Sequence, residues 1–167
     1  MASLIARSPA EGLLPVSVGA CTLSEEWPDA ITALSALDAT ADLPGPGEVR
    51  RGEDGETLWS GRRQALHIGP VPAPATGIVQ ADQTDGWCIM VLEGADAAAV
   101  LARLTPLDTN PAMFRSGRTA RSLLGHMNAL FHRLGPDRFR ILVFRSMAGS
   151  AVHDLTRAMR GVAARRG

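Results

Sequence analysis

The sequence predicts an α+β fold in which helices pack on one face of an antiparallel sheet. Three observations carry that prediction. Residues 87–92 (WCIMVL) form a short, almost wholly apolar run closed by Glu93-Gly94, and its length with its Val and Ile content marks a buried strand. Directly after it the apolar period changes to that of a helix. Farther on, Leu134-Gly135-Pro136-Asp137-Arg138 places turn residues between two apolar-rich segments, 127–134 and 139–144, as in a hairpin.

Taken in chain order, residues 1–19 read as an extended, Pro-containing arm that ends in a short strand at 14–18. Residues 28–43 carry two signals. Ile31, Leu34, Leu37 and Ala41 have helical spacing with Pro28 in a first-turn position, yet ITALSAL also alternates; the helix is the preferred reading. Pro44-Gly45-Pro46-Gly47 then breaks regular structure. Asp54-Gly55 is a turn ahead of a strand at 57–59, which pairs with 65–68 around Gly61-Arg62-Arg63. A Pro-rich connector at 70–74 separates an N-terminal half (1–74) from a strand-helix-hairpin-helix half (75–167) within one domain.

In that second half Ala97, Val100, Leu101 and Leu104 stand at i, i+3, i+4 and i+7, and Thr105-Pro106 stops the helix. A long strand at 127–134 and its hairpin partner at 139–144 follow. Ser146 occupies an N-cap position for a last helix whose apolar face is Ala148, Val152, Leu155, Met159 and Val162. Arg157, Arg160, Arg165 and Arg166 fall in or beyond its final turns, where positive charge suits the helix dipole.

A chain of 167 residues buries roughly 70% of its extended surface on folding and needs no disulfide. Cys21 and Cys88 have no C-x-x-C spacing, so each reads as a small buried apolar residue and a reducing cytoplasm is the expected compartment. No apolar run is long enough for export or for crossing a membrane. The formal net charge is zero, but residues 1–100 carry five arginines against fourteen acids, and residues 101–167 carry twelve against three. Such a chain either neutralises itself on folding or presents faces of opposite sign to partners. All 17 basic residues are arginine, which excludes a phosphate-loop lysine, a Schiff-base lysine and a lysine general base.

Recognisable catalytic motifs are missing. Gly45-Pro46-Gly47 lacks the third glycine and the leading strand of a dinucleotide fingerprint, and no G-x-S-x-G elbow occurs. Among His67, His126, His132 and His153, the even spacing of His126 and His132 puts them on one strand face, but no third or fourth ligand accompanies them, so surface or hydrogen-bonded structural roles are expected rather than a metal site. Arg115, Arg118, Arg121, Arg138, Arg140 and Arg145 suit carboxylates or phosphates. With no Tyr and only Phe114, Phe131, Phe139 and Phe144 nearby, a nucleic-acid platform is not expected; salt bridges to the acidic half or to another subunit are. Trp87 beside a Thr-Asp-Gly turn reads as a packing or interface anchor.

The succession LEGADAAAVLARLTPLD (92–108), FRSGRTARSLLGH (114–126) and RLGPDRFRILVFRS (133–146), with RSPAEGLLP (7–15), LWSGRRQALHIGP (58–70) and TDGW (84–87), resembles the gamma subunit of heterotetrameric sarcosine oxidase over nearly the whole chain. More distantly, the second half is similar to the folate-binding fold of the aminomethyltransferase (glycine-cleavage T-protein) superfamily. The resemblance implies a mainly structural subunit of a complex that oxidatively demethylates sarcosine to glycine, forming hydrogen peroxide and either formaldehyde or methylene-tetrahydrofolate. It implies alpha, beta and delta partner subunits, with FAD, FMN, NAD and zinc held by those partners, and it implies neither nucleic-acid nor membrane binding. Tetrahydrofolate is the one ligand it suggests for the fold itself. On this basis Asp108, in the loop after the helix, joins Arg118, Arg121, His126, Arg145 and Trp87 as candidate folate or interface contacts. A free-standing folate-dependent aminomethyl transfer protein centred on Asp108 is the alternative. Residues 31–48 are shorter than the gamma family leads one to expect, so a helix or strand is expected to be missing there.

Overall fold

The computed structural model describes residues 7–166; the first six residues of the expected arm lie outside them. The described residues form two antiparallel sheets and two helices. The first sheet has the order β1 (Val16–Val18), β2 (Cys21–Glu26), β8 (Trp87–Glu93), β11 (Arg138–Phe144), β10 (Met127–Gly135), β9 (Thr119–Leu124). The second runs β4 (Val49–Gly52), β5 (Gly55–Gly61), β6 (Gln64–Ile68), β3 (Ile31–Ala36), β7 (Ile78–Asp82). The sequence halves exchange strands: β2 pairs with β8 in the first sheet, and β7 pairs with β3 in the second.

The strand β8 explains the layering. Its Cys88, Met90 and Leu92 belong to one core and its Ile89 to another, because successive side chains of a strand point to opposite faces. On the first face lie α1 (Ala97–Leu101) and α2 (Ala148–Ala163), whose Val100, Leu101, Val152, Leu155 and Met159 pack on Leu23, Phe131, Phe139 and Ile141. On the other face Ile89, Leu130 and Leu142 meet Ile31, Leu58, Leu66 and Ile68 of the second sheet. Each such fully buried aliphatic side chain stabilises the fold by about 1.5–3 kcal/mol. Helices therefore cover one face of an antiparallel sheet, as predicted, and a second sheet covers the other.

The 127–134 and 139–144 hairpin forms as β10 and β11, with Leu130 opposite Leu142 and His132 opposite Arg140. The 57–59 and 65–68 pair forms as β5 and β6, and Arg63 takes a positive φ of 58° in their turn. The strand expected at 14–18 is shorter, Val16–Val18.

Two expectations are corrected. Residues 28–43 contain no helix; Ile31–Ala36 is β3, hydrogen-bonded on both edges to β6 and β7. Ser146 does not cap α2: it lies in a 3-10 turn, Arg145–Met147, and Met147 stands at the N-cap without a side-chain bond. The 3-10 turn carries the chain off β11 and directly into the helix, so the cap position moves one residue on.

Candidate functional site

At one end of the sandwich the two sheets part around a groove of about 210 Å³. Strand register brings its walls together. Trp87 pairs with Phe144 across β8 and β11, and their rings stack 4.8 Å apart with a 32° tilt. Arg121, on β9, stands opposite Leu130 of β10, and its Nη1 donates to the Ser60 carbonyl of the second sheet at a long 3.5 Å. Asn128, Gln64 and Gln83 add neutral amides to the lining. Among the described residues that line the groove, Arg121 is the only charged one. The Trp87 indole N–H is buried and has no hydrogen-bond partner.

The opposite end of the same interface is ionic. Arg140 of β11 donates from Nε to Glu26 at 2.9 Å and from Nη2 to the same carboxylate at 2.7 Å, and it pairs with Glu56 of β5. Arg51 reaches Glu56 at 2.8 Å. His132, fully buried, accepts at Nδ1 from Arg140 at 3.3 Å, which leaves its proton on Nε2, a buried atom without a partner. Burial raises the Glu56 carboxyl, but the Arg140 bond and charge outweigh it and hold it below its ordinary value. Burial and the neighbouring guanidinium groups push His132 down to about 4 against the pull of Glu56. The 3.7 Å His132–Glu56 approach is thus a contact of a neutral imidazole at pH 7.

The charge asymmetry of the sequence is partly consumed in such pairs. Arg138 meets Glu93 at 3.4 Å, Arg145 meets Asp85 at 3.7 Å, and Arg166 pairs with Asp96. Arg118 donates to the Pro46 carbonyl at 3.0 Å and holds the 44–47 loop against β9.

Of the sequence-derived candidates, Trp87 and Arg121 line the groove, and Arg145 lies beside Phe144 and Trp87 on adjoining surface depressions. Arg118 serves the neighbouring loop. Asp108 is exposed, lies outside the groove, and accepts the Asn110 N–H at 2.9 Å. His126 sits exposed in the β9–β10 turn, so it does not share a strand face with His132; the turn intervenes. Phe144, Asn128, Gln64 and Gln83 escape sequence reasoning because only the strand register assembles them. The ionic cluster did leave a trace: Arg140 interrupts the apolar run FRILVF, and an inward-facing charge within a buried strand demands partners.

Both cysteines are buried and unpaired with each other. Among the described residues no cluster of three or more His, Cys, Asp or Glu is placed to hold a metal ion, and no helix is long and apolar enough to cross a membrane.

No protein-family model matches the chain, and no curated protein matches it in sequence. Among solved structures, a chain of the heterotetrameric sarcosine oxidase from Corynebacterium sp. U-96, in complex with pyrrole 2-carboxylate, matches with a TM-score of 0.80 and 25% identity, covering 95% of this chain and 96% of that one. The two chains correspond almost end to end. Within residues 31–48, β3 is paired on both edges, and no further helix or strand occurs among the described residues before β4.

Proposed function

We propose that this chain is the gamma-type subunit of a heterotetrameric sarcosine oxidase, a structural component packed against alpha, beta and delta subunits. The observation that carries this reading is the end-to-end likeness to a chain of such an oxidase, with 25% identity. The complex would convert sarcosine, oxygen and water to glycine, formaldehyde and hydrogen peroxide, or pass the one-carbon unit to tetrahydrofolate. FAD, FMN, NAD and zinc would reside in the partner subunits. This chain's contribution is surface and scaffold. Phe144, Met147, Leu123 and Trp27 are each more than two-fifths exposed, an apolar inventory suited to burial in an assembly.

No contact of Asp108 among the described residues favours the alternative of a free-standing folate-dependent transfer protein. Its carboxylate is occupied by a local turn bond and faces solvent.

Co-expression with the alpha, beta and delta subunits from the same source tests the proposal. A stable complex with sarcosine-dependent peroxide formation that is lost when this chain is omitted is the expected result. Normal assembly and turnover without it would overturn the reading.

A further inference from the structure

We infer that the groove between the sheets receives a segment of a partner subunit that brings a carboxylate to Arg121 and an apolar side chain against the Trp87–Phe144 pair. This rests on the subunit reading above. Arg121 has one long bond to a carbonyl and meets no carboxylate in the groove. An arginine at the mouth of a concave, partly apolar site is a strong recognition point for an acid, because its fork matches a carboxylate in two bonds.

The apolar part of the occupant follows from the rim. Phe144 is 45% exposed and Leu123 41% exposed. Leu123 pairs with Asn128 on β9 and β10, the same end of the sheet at which Phe144 closes β11. Water thus meets aromatic and aliphatic surface on both sides of Asn128. Arginine and large aromatic residues are the types that dominate binding energy in protein interfaces. The serines and amides of the lining offer both donors and acceptors, which suits a polypeptide backbone.

Two other occupants fit less well. A molecule confined to about 210 Å³ would leave Phe144 and Leu123 wet. A second copy joined groove to groove would set Arg121 against its own symmetry mate, since a two-fold interface presents the same patch twice.

The test is co-purification with the alpha, beta and delta subunits, comparing the unaltered chain with Arg121→Glu, Arg121→Lys, Phe144→Ser and, on the helix layer, Arg160→Glu. Circular dichroism and melting of the isolated variants establish that each is folded. Arg121→Glu and Phe144→Ser should each lower the recovered complex about tenfold or more, while Arg121→Lys, which keeps the charge but loses the two-bond fork, gives an intermediate loss and Arg160→Glu retains all of it. If the unaltered chain assembles and folded Arg121→Glu and Phe144→Ser assemble as well as it does, the docking site is wrong while the subunit reading stands. If the unaltered chain assembles with none of the three, both fall. Variants that assemble but lose turnover would assign the groove to a small molecule. A dimer of the isolated chain that Arg121→Glu dissolves would assign it to a second copy. Either result overturns the inference.

Discussion

Arg140 of β11 and Glu56 of β5 form an ion pair that joins the two sheets, with side chains only 11% and 21% exposed. The pair does not stand alone, since Glu26 grips the same guanidinium with two bonds. Burial opposes the charge on Arg140, and the two carboxylates outweigh it and hold the guanidinium above its ordinary value. Arg140→Leu leaves Glu26 without its cation and Glu56 with Arg51 alone, and such a change should destabilise the fold by about 2–4 kcal/mol. Urea unfolding measures it. The triple variant Arg140→Leu, Glu26→Gln, Glu56→Gln should recover part of the loss, because the cost lies in the stranded charges.

His132 makes stability depend on pH. Its folded value of about 4 lies below the ordinary 6.5, so between those limits the unfolded chain binds a proton that the native state refuses. Stability from this group is complete above 6.5, falls as pH drops toward 4 and changes no further below it. The span corresponds to about 3 kcal/mol. Glu56, held below its ordinary 4.5, adds a further loss as the pH falls below that value. Unfolding free energies measured from pH 7 to 4 should therefore slope downward, and His132→Phe should flatten the part between 6.5 and 4. A profile unchanged by that substitution would contradict the assignment.

The difference between what was legible and what was not has a physical pattern. β8, the β10–β11 hairpin, the β5–β6 hairpin and the face of α2 were legible because each pairs a clean apolar period with turn residues. β3 was misread because both its faces are covered. Ile31 lies between the sheets, while Thr32 and Leu34 are buried on the outer side, where Leu34 shares a depression with Leu43, Pro44, Pro72 and Ile78. Alternation fades in such a strand, and Leu37, which completed the helical spacing, is exposed just past its end. β4 and β9 were missed because both are edge strands with a mixed polar and apolar pattern, VRRG and TARSLL, that lacks a clean apolar signature. The groove was legible only as Trp87 and Arg121, since its other walls come from strands distant in sequence.

Gly94, which the sequence offers merely as the end of β8, is a site of close backbone approach. It has φ of +126°, and a Cβ there would lie 1.8 Å from the Ala20 carbonyl oxygen. Its N–H also donates to the Asp137 carbonyl at 2.9 Å, so the residue ties the β1–β2 turn, the start of α1 and the β10–β11 turn together. Gly94→Ala should cost at least about 3 kcal/mol. Thermal unfolding gives the answer, and a melting temperature equal to that of the unaltered chain would refute the close approach.

The two thiols should be inert in the folded chain. Burial and the neighbouring Glu25 push Cys88 up to about 12, and burial raises Cys21 as well. Only a thiolate attacks a disulfide reagent. Titration with such a reagent at pH 8 should find almost no reactive sulfur in the native protein and both thiols in denaturant. Rapid labelling of one thiol under native conditions would place it at an accessible surface.

Arg133 is only 2% exposed, and no carboxylate pairs with it among the described residues. Carbonyls take that place. Nη1 donates to Thr109 and Phe114 at 2.9 Å each, Nε donates to Gly135 at 3.1 Å, and Nη2 reaches Pro136. The guanidinium carbon also lies 4.9 Å from the centre of the Phe139 ring. One side chain thus fastens the 105–117 loop to the β10–β11 turn, and Met in its place fills the volume but leaves the carbonyls without donors. Arg133→Met should cost about 3–5 kcal/mol and expose the 105–117 loop to protease before the sheets unfold. Lysine keeps the charge but presents a single ammonium, which cannot span carbonyls on both segments, so Arg133→Lys should recover less than half of the loss. Limited proteolysis with mass mapping of the first cut distinguishes this local release from general unfolding. A first cut outside 105–117 in a folded Arg133→Met variant would show that the loop is held by something other than this guanidinium.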